Sequence, residues 1–243
     1  MSKVLGLDIA SSTGWCILEN DQLVKYGVIT LPSEMNLFQR IKYFEHNLQN
    51  ILNENKPDEV HIEDVILGIS GAKTLAYLGR LNGVAILTCF NVVGDKIKLY
   101  QPTNWKAHSF PNLNGMAKKA EIQIAVIKHF KLISEEELNA LIKPLTEFNS
   151  EDQTLKDQLD QVKKTIETCK KIIGRKTASD NDKSNSNNLL KEKTKQLNEL
   201  KKIVSKRKKE IENVYKQVSI SLTAKCGLTS DVSDSIGIAF CKL

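Results

Sequence analysis

The sequence lacks any cysteine pattern that defines a disulfide framework or a zinc site. Its cysteines are odd in number, widely scattered and without a C-x-x-C pair. They are Cys16, Cys89, Cys169, Cys226 and Cys241. The histidines His61 and His108 likewise have no second His or Cys at ligand spacing. Scattered thiols of this kind are typical of reduced cysteines, so we expect a cytoplasmic protein without disulfides.

Long apolar runs are also missing from the chain. No apolar stretch approaches the roughly 20 residues of a membrane span, and the first segment, MSKVLGLDIA, has no long apolar core of a signal peptide. We therefore expect neither a membrane protein nor an exported one. The apolar fraction of 41% and the charged fraction of 26% are those of a soluble globular protein. The net charge of +6 permits a polyanionic partner but does not require one.

Apolar segments and turn residues alternate in the first half of the chain in the pattern of an α/β protein. The segments KVLGLDI, STGWCILE and LVKYGVITL follow one another closely and predict an antiparallel meander of three strands. Helix, strand, helix, strand and helix follow, in NLFQRIKYFEHNLQNILNEN, PDEVHIEDV, GAKTLAYLGRLNGVAILTCF, DKIKLYQP and GMAKKAEIQIAVIKHF. This order predicts a mixed five-stranded sheet flanked by helices on both faces.

The composition changes at about residue 135, where the chain becomes polar and rich in lysine. Apolar residues from Leu155 to Ile173 are spaced 4, 3, 4, 3, 4, which is a heptad seam, and a second seam runs from Leu190 to Val218. The tract between them, near 174–188, is too polar to pack and is predicted to be flexible. We interpret residues 135–222 as an antiparallel coiled-coil hairpin inserted into a domain formed by 1–134 and 223–243.

Four carboxylates lie where this fold would bring them together. Asp8 ends the first predicted strand and Glu63 ends the fourth, while Asp231 and Asp234 share one face of the last predicted helix. A cluster of four carboxylates cannot stay ionised without counter-ions. Hard oxygen ligands favour Mg²⁺ or Mn²⁺, and two such ions about 3.5–4 Å apart are suited to phosphodiester hydrolysis.

Each carboxylate also has a structural interpretation of its own. Asp8 is at the start of a turn, and Glu63 could be a surface residue whose neighbour Asp64 points inward instead. Asp231 could serve only the helix dipole, beside Ser230 as N-cap. The four residues together favour the metal site over these separate explanations.

Several blocks resemble, in order and spacing, the RuvC family of Holliday junction resolvases, and its phage or viral members most of all. The blocks are GLDIASSTGW, PDEVHIEDVILGISGAKTLAYLGRLNGVAI, LYQPTNWK with AKKAEI, and SDVSDSIGIA, which cover roughly 1–132 and 223–243. The resemblance implies an RNase H-like fold, a homodimer, and Mg²⁺-dependent incision of two strands at a four-way DNA junction. It also implies that two metal ions are held by Asp8, Glu63, Asp231 and Asp234.

Two lysines match family positions near the scissile phosphate. They are Lys106 in NWK and Lys119 in AKKAEI, where a cation would stabilise charge that develops in the transition state. A shift of the alignment by one residue would select Lys118 instead of Lys119. Either lysine could also be an ordinary solvated charge on a helix, and Trp105 is interpreted as a packing residue.

The chain departs from the family pattern in two places. Ile66 stands where the best-known bacterial members have an aromatic residue that opens the junction, and the hairpin insertion has no counterpart in those compact enzymes. Its second arm, 189–218, has ten Lys or Arg and four Glu. That arm could contact the DNA backbone, be an ordinary solvated coiled coil, or dock a second copy or a protein partner.

These observations predict a metal-dependent, structure-selective endodeoxyribonuclease that resolves four-way junctions and acts on other branched DNA. One alternative is an RNase H-like nuclease that acts mainly on forks or RNA. The other is a non-catalytic junction-binding scaffold, which the intact carboxylate set disfavours because unpaired carboxylates would repel phosphate.

Overall fold

The structure is a computed structural model, and it describes residues 2–65, 71–110, 113, 115–174 and 179–241. The chain divides into two compact units, 1–139 with 219–243, and 140–218. We call the first the nuclease unit and the second the hairpin unit. The strands are β1 (Lys3–Asp8), β2 (Ser12–Glu19), β3 (Gln22–Thr30), β4 (Glu59–Glu63) and β5 (Ile97–Tyr100). The helices are α1 (Leu37–Asn55), α2 (Ala72–Val93), α3 (Pro102–His108), α4 (Lys119–Phe130), α5 (Glu135–Ile173), α6 (Asp180–Cys226) and α7 (Ser230–Phe240).

The five strands form one mixed sheet in the order β3-β2-β1-β4-β5. The β1–β2 and β2–β3 pairs are antiparallel, and the β1–β4 and β4–β5 pairs are parallel. The turn between β2 and β3 has two residues, Asn20 and Asp21, both with positive φ, which is the geometry that tight hairpins require. The predicted meander and the predicted five-stranded α/β fold are therefore confirmed.

The two faces of the sheet carry different side chains because residues alternate along each strand. Leu5 and Leu7 of β1 are fully buried in a core with residues of α1 and α2. Gly6, between them, faces α7, and a Cβ at Gly6 would lie 2.2 Å from the carbonyl oxygen of Ser235. Helices α1 and α2 thus cover one face, and α7 covers the other, where the glycine lets its backbone approach β1 closely.

The short helix α3 was not predicted from the sequence. It has seven residues, which is too few for a helical period to stand out, and it begins with Pro102 at its first turn, a position that proline favours. Its Trp105 is fully buried. Both α3 and α4 pack against α7, so they lie on the same side of the sheet as the last helix.

Helix α2 is the one helix of the described residues that is long and apolar enough, by length and composition, to cross a membrane. We expected no membrane-spanning segment because the sequence has no long uninterrupted apolar run, and α2 has polar residues among its apolar ones. One such helix is weak evidence for a span, because helices in the core of soluble proteins pass the same test. Here α2 packs against α1, β4 and β5 within the nuclease unit.

The hairpin unit is built from the predicted heptad residues. Val162, Ile166 and Leu200 are buried together, and four partly buried leucines pack against them, namely Leu155, Leu159, Leu190 and Leu197. Arg207 Nη2 lies 2.6 Å from Glu151 Oε2. Because this pair joins a residue before the α5 seam cluster to one after the α6 cluster, the two helices run antiparallel, as predicted.

Part of the polar tract between the two arms is helical. Residues 180–188 belong to α6, which their composition did not predict, and residues 175–178 lie outside the described residues. Ser179 and Asp182 explain the helical start, since the Asp182 N–H donates to Ser179 Oγ at 3.1 Å. This is an N-cap contact, for which the sequence S-x-x-D is a signature. The flexibility of the tract stays a prediction.

Candidate active site

The parallel pairing of β1 and β4 brings Asp8 and Glu63 to the same edge of the sheet. Leu7 is opposite Ile62 in this pair, so the next residues, Asp8 and Glu63, lie at neighbouring strand ends. Val60 and Ile62 point to the α1–α2 core, and therefore Glu63 points to the α7 side.

Contacts from neighbouring elements hold the end of β4 in place. Asn82 of α2, which is buried, donates from Nδ2 to the carbonyl oxygen of Glu63 at 3.2 Å. The backbone N–H of Asp64 donates to the carbonyl oxygen of Tyr100 at 2.9 Å. Both contacts fix the backbone from which Glu63 extends.

The first turn of α7 carries Asp231 and Asp234 to this edge. The N-cap of α7 is Thr229, whose side chain accepts a hydrogen bond from the Val232 N–H at 3.2 Å, so the interpretation of Ser230 as N-cap was wrong. Gly14 of β2 lies directly beneath this turn, since a Cβ there would be 2.0 Å from the carbonyl oxygen of Asp231. Residues from the two ends of the chain thus meet because β2 has no side chain at this point.

The electrostatics of the four carboxylates are those of a crowded anionic cluster. Burial raises the pKa of Asp8 well above its usual range, and the charges of Glu63, Asp234 and Asp231 raise it further. Burial, with smaller contributions from Glu63 and Asp231, raises the pKa of Asp234 to about 7 despite the opposing effect of Lys106. The pKa of Glu63 is raised mainly by its burial. Such a cluster favours a cation between its members.

One carboxylate oxygen has no hydrogen-bond partner among the described residues. Asp234 Oδ1 is buried without a hydrogen bond, which is costly for a charged acceptor unless a cation completes its surroundings. The described residues contain no group of three or more His, Cys, Asp or Glu side chains gathered as a ready-made metal site. The residues nevertheless fit a divalent cation by their oxygen chemistry and by this orphaned oxygen.

Trp105 contacts the site, which the sequence reasoning missed. Its indole Nε1–H donates to Glu63 Oε2 at 3.0 Å, and this hydrogen bond lowers the pKa of Glu63 against the larger effect of burial. Gly237 of α7 makes room for the ring, because a Cβ there would lie 2.5 Å from Trp105 Cζ3. The available signal was the need of a buried indole for an acceptor. Packing alone had been predicted for this residue.

The two predicted lysines also lie at the cluster. Lys119 Nζ is 3.4 Å from Asp231 Oδ1 and 3.2 Å from Ser230 Oγ, and its charge lowers the pKa of Asp8. Lys106 Nζ lies 5.3 Å from the centroid of the Trp105 ring. The charge of Lys106 lowers the pKa values of Glu63 and Asp234.

Lys118 differs from Lys119 in its position on α4. It is the N-cap residue of α4, and its backbone N–H donates to Glu121 Oε2 at 2.7 Å. The contact of the Lys119 ammonium with Asp231 favours the alignment that selects Lys119.

An open cavity of about 430 Å³ lies against the strand ends. Asp8, Glu63, Asp64 and Lys106 line its polar side. Asp64 Oδ1 accepts the Val65 N–H at 2.8 Å, whereas Glu63 Oε2 accepts the Trp105 indole N–H and the charge of Glu63 raises the pKa of Asp8. Ile66, where the family pattern has an aromatic residue, lies outside the described residues.

Comparisons with known proteins find relatives of one family. The family model of the crossover junction endodeoxyribonuclease RuvC matches residues 4–142. The RuvC of Finegoldia magna is 28% identical over 129 residues, which are 51% of this chain and 76% of that protein. The RuvC of Xanthomonas oryzae pv. oryzae is 36% identical over 101 residues, or 39% of this chain and 56% of that protein.

A solved structure of Thermus thermophilus RuvC in complex with Holliday junction substrate is also similar. It is 16% identical, with a TM-score of 0.46, and the match covers 54% of this chain and 80% of that one. The matched range contains Asp8, Glu63, Lys106 and Lys119. Asp231 and Asp234 lie outside it, on α7, which follows the hairpin unit in the chain. Because the family model matches more than half of its length, this chain belongs to the RuvC family of crossover junction endodeoxyribonucleases.

Proposed function

We propose that this protein resolves four-way DNA junctions by metal-dependent hydrolysis of paired phosphodiester bonds, and that it also cleaves other branched DNA. The observation that carries the proposal is the meeting of carboxylates from both ends of the chain, with the orphaned oxygen of Asp234 among them. Family membership supports the same activity. All five cysteines are free, in keeping with the cytoplasmic location that we propose.

Asp8, Glu63, Asp231 and Asp234 are the proposed metal ligands. They would hold two Mg²⁺ ions, for which Mn²⁺ substitutes because both ions prefer oxygen ligands. When bound, such a pair supplies an activated water and stabilises the leaving oxygen.

The other residues of the site orient groups and stabilise charge. Trp105 fixes the Glu63 carboxylate through the indole N–H, so that one ligand is oriented before metal binds. The ammonium groups of Lys106 and Lys119 lie where they can stabilise negative charge that develops on the phosphate in the transition state. Neither lysine needs to transfer a proton for this role.

We further propose that the enzyme is a homodimer that pairs through α2. Leu87 and Phe90 are 63% and 54% exposed on this helix, and no described atom lies within 4 Å of a Cβ built at Gly79 or Gly83. An apolar face with small residues allows two helices to approach closely, and a two-fold enzyme matches the two-fold symmetry of a four-way junction. Light scattering should give twice the chain mass, and a monomer with full resolving activity would contradict the proposal.

A substrate panel tests the activity directly. Equal amounts of a synthetic immobile four-way junction, a flap, a fork, a plain duplex and an RNA–DNA hybrid are incubated with the protein in Mg²⁺ or in EDTA. We expect symmetric nicks on opposite strands of the junction in Mg²⁺ only. Faster cleavage of the hybrid or the fork than of the junction would overturn the junction assignment, and cleavage in EDTA would overturn the metal-dependent mechanism.

A further inference from the structure

Positive charge is distributed very unevenly between the two units. The nuclease unit has sixteen Lys or Arg and seventeen Asp or Glu, a net charge of −1, whereas the hairpin unit has nineteen and twelve, a net charge of +7. Within the hairpin unit the excess lies on α6, since 189–218 has ten basic and four acidic residues. The residues of α5 in this unit, 140–173, have six of each. One helix thus carries nearly all of the excess positive charge.

The lysines of α6 form a stripe along one face of the helix. Spacings of 4, 7, 4, 3 and 7 residues place six exposed lysines on the face opposite the apolar seam. We call them the lysine stripe: Lys191, Lys195, Lys202, Lys206, Lys209 and Lys216. Asn198 and Asn213 occupy two of its gaps, and the acidic residues of 189–218, namely Glu192, Glu199, Glu210 and Glu212, lie along its edges. Lys191 and Lys216 are 25 positions apart, which is about 37 Å at 1.5 Å per residue.

Ion pairing distinguishes this stripe from the surface of an ordinary coiled coil. Within the described part of the chain only Lys206 of the stripe has an ion pair, to Glu210 at 3.8 Å. On α5, by contrast, Lys156 pairs with Asp152 at 2.8 Å and Lys163 pairs with Asp160 at 2.9 Å. Helix α5 therefore has the balanced charges of a solvated helix, whereas five of the six lysines of the stripe on α6 have no ion pair with a described residue.

A polyanion is the partner whose chemistry this row of cations fits. A nuclease unit with a net negative charge and a carboxylate cluster repels phosphate until metal binds, so its affinity for nucleic acid needs basic surface elsewhere. Lysine, as a point charge on a flexible stem, suits contacts to backbone phosphates better than the reading of bases. The length of the stripe is close to one turn of B-DNA, about 34 Å.

We propose that the lysine stripe of α6 binds the phosphate backbone of duplex DNA independently of sequence. The inference rests on the proposed function in one respect, namely that the substrate is DNA. It assigns to the hairpin unit a share of the binding that the nuclease unit does not supply. An arm of a junction is a plain duplex, so the stripe should contribute equally to the binding of a junction and of a linear duplex.

Salt-dependent binding tests the proposal with the full-length protein. Four lysines of the stripe that lack an ion pair in the described structure are changed together, Lys191→Gln, Lys195→Gln, Lys202→Gln and Lys209→Gln. Glutamine is a good helix former, so α6 should keep its helicity, which circular dichroism checks. Dissociation constants for a labelled junction and a labelled duplex are measured in EDTA at several salt concentrations.

A charge-matched control separates the stripe from net charge alone. It carries four changes on α5, Lys143→Gln, Lys156→Gln, Lys163→Gln and Lys164→Gln. Each lost phosphate contact lowers the slope of log affinity against log salt by about 0.9, so the stripe variant should lose about 2–4 in slope on both DNAs. The α5 variant should lose less than about 1.

These measurements test DNA binding by the lysine stripe separately from the proposed nuclease activity. A wild-type slope in the stripe variant, or equal losses in both variants, would overturn the role of the stripe. Stripe-dependent binding that is tighter for an RNA duplex than for DNA of equal length would overturn the DNA assignment. A wild-type protein that binds duplex through the stripe but fails to cut junctions in Mg²⁺ would contradict the proposed function and leave the binding inference standing.

Discussion

The nuclease unit and the hairpin unit use charge in opposite ways. In the nuclease unit, partly buried carboxylates lie near enough to one another to raise the pKa of Asp8, and close backbone packing at Gly6 and Gly14 positions the elements that carry them. In the hairpin unit, charges lie on the surface of two helices whose stability comes from a repeated apolar seam. The behaviour of a buried charged group depends on each neighbouring residue, whereas surface charges attract a polyanion through their sum. Changes of one side chain should therefore be severe in the first unit and mild in the second.

The largest contrast is expected for carboxylate replacements. Asp8→Asn, Glu63→Gln, Asp231→Asn and Asp234→Asn should each lower junction cleavage to below roughly a hundredth of the wild-type rate, because each removes a proposed metal ligand. Junction binding in EDTA should persist, since removing a negative charge does not weaken contacts to phosphate.

The matched control for these replacements is Glu167→Gln. It makes the same chemical change at an exposed position of α5, and it should leave both cleavage and binding unchanged. A near-wild-type rate in any one of the four site variants would remove that residue from the proposed ligand set.

A smaller loss is expected when Lys119 is changed. Lys119→Ala should lower the cleavage rate about 10²-fold with little change in junction affinity, because its ammonium is proposed to act on charge that develops in the transition state. Single-turnover cleavage at saturating enzyme measures this rate. Lys118→Ala is the control, and a greater loss in that variant would show that the alignment is wrong by one residue.

Removal of one hydrogen-bond donor should have a smaller effect again. Trp105→Phe keeps most of the ring volume but takes the N–H away from Glu63, so we expect metal affinity to fall about 10-fold. Binding of Mn²⁺, followed by electron paramagnetic resonance, measures the change without any cleavage.

Trp15→Phe provides the comparison for this variant. Trp15 is the other tryptophan of the chain, it lies in β2, and its ring packs against Gly27 instead of the carboxylates. Equal losses of Mn²⁺ affinity in the two variants would mean that the role of Trp105 is general packing and not the orientation of Glu63.

The raised pKa of Asp234 predicts a dependence of stability on pH. With a folded pKa of about 7 and an unfolded value of about 3.9, the folded state holds the proton more tightly, so stability falls as pH rises between these values. Asp234→Asn removes this loss. In EDTA its free energy of unfolding relative to wild type should therefore rise by about 2–3 kcal/mol from pH 5 to pH 8.

Urea denaturation at both pH values measures that difference, and saturating Mg²⁺ should reduce it because the ion stabilises the charged form in the wild type. A difference between variant and wild type that stays constant from pH 5 to pH 8 would contradict the raised pKa.

The smallest effect on the metal site is expected when most of the hairpin unit is deleted. Replacement of residues 150–218 by a short Gly/Ser linker removes the seam cluster and the Glu151–Arg207 pair, but none of the proposed ligands. The nuclease unit should fold and bind Mn²⁺ as the full chain does, while its affinity for duplex DNA falls with the loss of the lysine stripe. An unfolded product, seen by circular dichroism, would show that the predicted insertion is part of one cooperative fold.

What could be predicted from the sequence depended on how far apart the interacting residues are. The strands, the long helices and the heptad seams follow from local periodicity, and Asp8 and Glu63 could be chosen because both end apolar strands. The Trp105–Glu63 contact joins residues 42 positions apart through a helix too short to be recognised. Thr229 and Ser230 are both good N-cap residues, so only the structure could decide between them.

The central claim is that carboxylates from the two ends of the chain form one divalent metal site. Counting bound Mn²⁺ by electron paramagnetic resonance on the full-length protein tests it most directly, with Mg²⁺ as competitor. We predict two Mn²⁺ ions per chain, displaced by Mg²⁺, and a loss of binding in both Asp8→Asn and Asp234→Asn. Full Mn²⁺ binding by Asp234→Asn, or no binding by the wild type, would contradict the claim.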